Sequence, residues 1–277
     1  MARAPLQDAS EATPGRLELR EMADTLYLSL WYPNLRLAAL PDKLIAVLGT
    51  FAAHGGEAKV YAATVWPINW NEAAVFQRVW GRAAGGSTQR GAAGVAERGI
   101  EPRQAVEEAM ELLHDDYAYE FQIGWNLWEL EAGNRGPSIR PSLRSGLAQD
   151  DSAEINTGLS ARPLRDLAQD DLMLNLEPRW VREPRLARVT GFGPLFDEGA
   201  YEQEGHIKVD FGSDAPFLEE DADLGQVGAK HVEENVRKLV ELTAAIEKGS
   251  GATARLLWSE LGESLAQRLA ARLGVGN

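Results

Sequence analysis

No cysteine occurs anywhere in the 277-residue chain. That absence removes disulfide frameworks, thiolate zinc sites, iron–sulfur clusters and cysteine nucleophiles together, and it suits a reducing compartment. Histidine is scarce as well, so an imidazole general base has to be His54, His114, His206 or His231. Long apolar runs are missing: the most apolar stretch, 35–51, is broken by Pro41, Asp42 and Lys43. A membrane span needs roughly 18–20 consecutive apolar residues. Residues 1–16 mix Arg3, Asp8, Glu11, Pro14 and Gly15 and lack the apolar centre of a signal peptide. The expectation is a soluble, cytoplasmic protein without membrane contact. A flexible N-terminus over 1–16 precedes a single domain over 17–277.

Positive charge is also in short supply, 28 Lys and Arg against 42 Asp and Glu, for a net charge of −14. Diffuse attraction to nucleic acid is therefore disfavoured, and no nucleic-acid partner is expected. The deficit is concentrated in one segment. Between Asp197 and Glu234 stand Asp197, Glu198, Glu202, Glu204, Asp210, Asp214, Glu219, Glu220, Asp221, Asp223, Glu233 and Glu234, against Lys208 and Lys230 alone.

Apolar residues make up 44% of the chain, enough for a folded core. Leu26, Leu28 and Leu30 alternate with Tyr27, Ser29 and Trp31, which predicts a strand over 25–32. Leu44, Ile45, Val47, Leu48 and Phe51 then follow at helical spacing after Pro41, and 60–66 returns to strand chemistry before Pro67. The cleanest alternation in the chain is Tyr117–Leu130, where Tyr119, Phe121, Ile123, Trp125 and Leu127 share one side. Further strands are expected at 180–190 and 206–211, short helices at 71–80 and 101–114, and a long helix carrying Val232, Val236, Leu239, Val240, Thr243 and Ile246. On that helix Glu233–Arg237 and Glu234–Lys238 have the spacing of ion pairs. For 253–258 a strand is favoured over a helix start. Residues 132–178 are rich in Gly, Pro, Ser and Arg, repeat Leu-Ala-Gln-Asp-Asp at 147–151 and 167–171, and read as an insertion. The fold expected is α+β: a mixed, largely antiparallel sheet of five or six strands with helices on one face, and that long insertion.

Motif by motif, the chemistry is thin. Gly86 to Gly91 has the glycine spacing of a phosphate loop, but two alanines follow where lysine and a hydroxyl are needed. Asp210-Phe211-Gly212 spells a kinase triplet without the accompanying kinase signatures. Glu219–Gly225 opens like a calcium loop, but its glycine falls late and Lys230 stands where a bidentate Glu belongs. Glu111 and His114 sit one helical turn apart and are the metal-ligand candidates, although a second matching helix is lacking. His206, Asp210 and Asp214 lie around the end of one predicted strand and are the catalytic candidates. Trp31, Trp66, Trp70, Trp125, Trp128 and Trp180 lie on or beside strands, where they either pack the core or line a binding face.

Two functions follow as expectations. The first is a non-catalytic acidic binding protein, of the immunity or inhibitor kind, that engages a basic protein through Glu219, Glu220, Asp221 and Asp223 and needs no cofactor. The second is a carboxylate-dependent hydrolase, with or without a divalent ion, built around His206, Asp210 and Asp214.

Overall fold

Side chains in a strand alternate between two faces, so the 14-residue run Tyr117–Leu130 has to bury one face and leave the other for different use. In the computed structural model, which describes residues 24–55, 59–81, 99–130, 179–218, 224–260 and 265–273, this run is the fourth strand of a seven-stranded sheet. The strands are β1 (Thr25–Trp31), β2 (Val60–Pro67), β3 (Phe76–Val79), β4 (Tyr117–Leu130), β5 (Trp180–Phe192), β6 (Ile207–Ser213) and β7 (Ala254–Ser259). Their order is β3-β2-β4-β5-β6-β1-β7, and every neighbouring pair is antiparallel. Helices α1 (Leu40–Gly55), α2 (Pro102–Ala109), α3 (Tyr201–Glu204), α4 (Ala215–Leu218), α5 (Gly225–Ser250) and α6 (Leu265–Arg272) complete the fold. The expected α+β class forms, and the sheet, expected to be mixed and largely antiparallel, is antiparallel at every neighbouring pair.

The differences from expectation have local causes. Residues 76–79, expected within a short helix, form β3 because Phe76 and Arg78 take backbone pairing with Val65 and Ala63 at the sheet edge. This accounts for one strand beyond the five or six expected. β1 and β2 flank α1 in sequence but lie apart in the sheet, with β6, β5 and β4 between them. Gly251 ends α5 in the left-handed conformation (φ 71°), where glycine avoids the Cβ penalty. The insertion at 132–178, the N-terminal 1–16 and the glycine-rich 86–91 fall outside the described residues.

One face of the sheet meets the main helices. Leu28 and Leu30 of β1, Phe121, Ile123 and Trp125 of β4, Val189 of β5 and Val209 of β6 share a core with α1, α2, α5 and α6. Trp125 is its centre, fully buried, with Phe211, Phe217 and Phe51 at ring-centroid distances of 5.2, 5.8 and 6.1 Å. Helix 37–55 is long and apolar enough to cross a membrane by length and composition, and it spends that character here: Leu40, Leu44, Val47, Leu48 and Phe51 are buried in the core.

On α5 the buried stripe is centred on Leu239 and Ile246. At about 100° per residue Leu242 falls inside it and Val240 outside, which is why Val240 is 41% exposed although the spacing grouped it with the core. Glu233 pairs with Arg237 as expected. Lys238 does not pair with Glu234; its ammonium donates instead to the carbonyls of Gly55 at 3.1 Å and Asn126 at 2.7 Å, and burial pushes its pKa down. Glu234 accepts from Trp128 Nε1 at 2.9 Å.

Asn235 ties α5 to the sheet. Its Oδ1 accepts from Trp128 N at 3.0 Å, and its Nδ2 donates to Trp128 O and Pro216 O, both at 2.8 Å. Truncating it strands three backbone groups, so Asn235→Ala is expected to lower stability by roughly 2–4 kcal/mol in urea unfolding.

Candidate functional site

The second face of the sheet carries the residues that alternate with the core, and its two ends differ. At one end β2 stops at Pro67, β4 begins at Tyr117 and β5 stops at Phe192, so three connecting segments converge. Backbone hydrogen bonds lock them: Ile68 N–H donates to Asp116 O (2.7 Å), Asp197 N–H to Ile68 O (2.7 Å) and Leu195 N–H to Asp115 O (2.9 Å). Beneath lies a small core of Ala118, Phe192 and Phe196, with Trp66 and Tyr201 against it. Trp70 rests on this core, edge-on to Phe196 at 5.0 Å and to Phe192 at 6.1 Å.

What the segments present outward is apolar. Ile68 is 56% exposed, Trp70 40% and Leu195 62%. Around them the composition is one-sided: segments 66–76, 111–119 and 192–205 hold eight carboxylates and no lysine or arginine. Glu72, Glu111, Asp115, Asp197, Glu198 and Glu202 are exposed. The result is an apolar centre within an acidic rim.

The backbone here is strained. Three of the four non-glycine residues with positive φ among the described residues are Ile68 (58°), Asp197 (46°) and Glu198 (55°). A β-branched side chain clashes with its own backbone in this region, at a cost of about 1–3 kcal/mol, and such strain persists where surrounding contacts over-determine it. Ile68→Gly is therefore expected to raise stability by up to about 1 kcal/mol in chemical unfolding, because glycine adopts this φ freely.

Beside this end a pocket of about 280 Å³ opens between the residues after β1 and the segment 192–206. Its walls include Leu35, Leu37, Leu40, Phe192 and Tyr201, with Tyr32, Asn34 and His206 among its polar side chains. His206 Nδ1 accepts from Tyr32 N–H at 3.2 Å, which assigns the proton of the neutral ring to Nε2. Burial lowers the His206 pKa, favouring that neutral form. Tyr201 stacks on the ring at 4.9 Å.

β6 places the catalytic candidates apart. His206 precedes β6, Asp210 lies mid-strand and Asp214 follows it, so at about 3.3 Å per residue His206 is about 13 Å from Asp210 and about 26 Å from Asp214 along the chain. Asp210 faces the second side of the sheet, bound to Arg188 at 2.6 Å and accepting from Gly212 N–H at 2.7 Å. Asp214 is buried, accepting from Asp24 N–H at 3.1 Å, with Arg268 at 3.5 Å. The three do not meet. Asp210 has a different neighbour, Glu120 of β4, whose pKa burial raises while Arg188 pulls the other way.

Glu111 is exposed and His114 turns back on its own loop, Nδ1 accepting from Asp116 N–H at 3.3 Å and lying 3.6 Å from the Asp116 carboxylate. Among the described residues no group of three or more His, Asp or Glu side chains converges as a metal site requires. Glu219, Glu220, Asp221 and Asp223 lie outside the described residues.

The tryptophans divide between the two roles expected of them: Trp125 is core, and Trp70 stands on the exposed face. The reading from sequence did not single out Ile68, Leu195, Asp115, Asp116 or Glu120. The available signal was the absence of lysine and arginine from three separate segments that only the fold unites. Comparison of the chain with family models, with curated proteins and with solved structures finds no match.

Proposed function

We propose that this is a non-catalytic binding protein of the cytoplasm that engages a basic protein through the acid-rimmed apolar end of its sheet. The observation that carries the reading is the exposure of Ile68, Trp70 and Leu195 together among segments that hold eight carboxylates and no lysine or arginine of their own, of which Glu204 pairs with Lys208 of β6. Apolar centres with polar rims, and aromatic anchors above all, supply most of the energy of protein interfaces. Rim charge of one sign speeds encounter with a partner of the other and fixes its orientation. An inhibitor or immunity protein that covers a basic, nucleic-acid-acting enzyme would present such a face. Glu219, Glu220, Asp221 and Asp223 form a second acidic run in the sequence.

Affinity capture from a low-salt lysate tests the reading. The wild type is expected to retain a basic protein that added salt releases, and Glu72→Lys/Asp115→Lys/Glu202→Lys is expected to lose it. A parallel variant with Glu219, Glu220, Asp221 and Asp223 neutralised measures the contribution of the second run. Equal capture by wild type and both variants would refute the reading.

A second reading, a carboxylate-dependent hydrolase, draws support from Glu120 and Asp210 beside Arg188: one carboxyl favouring its protonated form near another held in an ion pair is an acid–base arrangement. This pairing takes the place of His206 and Asp214. It carries a stability signature of its own. The folded-state pKa of Glu120 is raised, so the native state binds the proton more tightly than the unfolded chain. The favourable contribution is present below the unfolded pKa and is lost as pH rises through the folded one. Glu120→Gln is therefore expected to melt higher than wild type at pH 7, with the difference closing as the pH falls into the carboxylate range.

A further inference from the structure

The pocket beside the acidic end is too small for most cofactors and larger than a single aromatic ring needs; known ligand sites start at roughly 300 Å³, and a 150 Å³ cavity holds benzene. At about 280 Å³ it matches one large side chain with room to enter. Its walls combine the apolar carbon of Leu35, Leu37, Leu40 and Phe192 with the polar side chains Asn34, Tyr32, Tyr201 and His206, so its occupant pairs an apolar body with a polar atom. His206 Nδ1 is committed to Tyr32 N–H, and Nε2–H makes no hydrogen bond to any described residue. That donor calls for an acceptor on whatever enters. Phe192 and Tyr201 belong at once to this pocket and to the small core that supports Trp70, so the pocket and the exposed apolar end are parts of one surface.

We propose that this pocket seats the anchor residue of the basic partner, an aromatic side chain bearing a hydroxyl, as in tyrosine. Its ring lies among Leu35, Leu37, Leu40 and Phe192, and its oxygen accepts from His206 Nε2–H. The proposal rests on the protein-binding reading above and adds the chemistry of the residue that is bound. It also gives the constricted space between β1 and α3 a purpose that the acidic rim does not supply, since charge steers an approach and a filled pocket slows departure.

The test uses p-cresol, the side-chain analogue of tyrosine, and toluene, which lacks the oxygen, each titrated into the full chain and followed by NMR of the His206 imidazole and the Leu37 and Leu40 methyl groups. p-Cresol is expected to shift these resonances saturably and to bind about fivefold more tightly than toluene, the factor one neutral hydrogen bond provides. His206→Phe should remove that preference, and Leu37→Trp, which fills the pocket, should abolish binding of both. In the capture assay, saturating p-cresol should weaken retention of the partner. No saturable shift, or equal affinity for p-cresol and toluene, would overturn the pocket proposal while leaving the acidic-face reading to its own variants. Tight p-cresol binding with no effect on capture would assign the pocket to a free phenol and overturn its role as an anchor site.

Discussion

Trp125→Ala is expected to destabilise the protein by about 3–5 kcal/mol, the largest effect of any single truncation considered. For a chain of this size that lowers the melting temperature by on the order of 10 °C. The loss has two parts: the transfer energy of a wholly buried indole, and a cavity facing Phe51, Phe211 and Phe217 that comes from three different elements and cannot collapse onto any one of them. Trp125→Phe separates packing from polarity. Among the described residues the buried indole Nε1 has no hydrogen-bond partner, so phenylalanine removes a desolvated donor along with some ring area, and the two changes offset. Its cost should be well under half that of alanine. Comparable losses for both variants in denaturant titrations would contradict this, because phenylalanine keeps most of the buried volume that alanine removes.

Trp70→Ala is expected to weaken binding of the basic partner by about 2 kcal/mol or more, roughly thirtyfold, beyond the stability it loses with its edge-on contacts to Phe192 and Phe196, because the exposed 40% of the residue is what a partner would cover. Glu72→Lys/Asp115→Lys/Glu202→Lys acts through another term. Charge reversal at a rim chiefly slows association and flattens its dependence on salt, whereas losing an anchor speeds dissociation. Surface plasmon resonance on the captured partner resolves the two. An unchanged dissociation rate for Trp70→Ala would remove it from the interface.

Much of the fold was legible because strand and helix leave different periods. The alternation of Tyr119, Phe121, Ile123, Trp125 and Leu127 located β4 over the very residues it occupies, and the 3.6-residue spacing of Val232 to Ile246 located α5, although Val240 and Leu242 exchanged places. β3 was not legible, since four mostly exposed residues at a sheet edge carry no burial pattern and owe their conformation to pairing with β2. The order of strands was beyond reach because no local signal says that β1 pairs with β6 and β7.

The same division explains the candidate site. Asp197, Glu198 and Glu202 were visible as charge in one run of sequence. That they share a surface with Ile68 and Asp115 depends on long-range backbone hydrogen bonds, for which composition holds no record. Conversely, the nearness of His206, Asp210 and Asp214 in sequence suggested a cluster, and strand geometry dispersed it. An extended chain carries each residue about 3.3 Å onward and reverses its face, so neighbours along a strand make poor catalytic partners. Glu120 and Asp210 became neighbours only because β5 lies between β4 and β6 and places Arg188 within reach of both.

Where the partner touches decides between the end of the sheet and the other acidic surfaces. Zero-length carbodiimide cross-linking of the complex, which joins a carboxylate only to an amine in direct contact, maps this with residue resolution. Bonds are expected from partner lysines to Glu72, Asp115, Asp116, Asp197, Glu198 and Glu202. Cross-links confined to Glu233 and Glu241 of α5, with none at the end of the sheet, would contradict it.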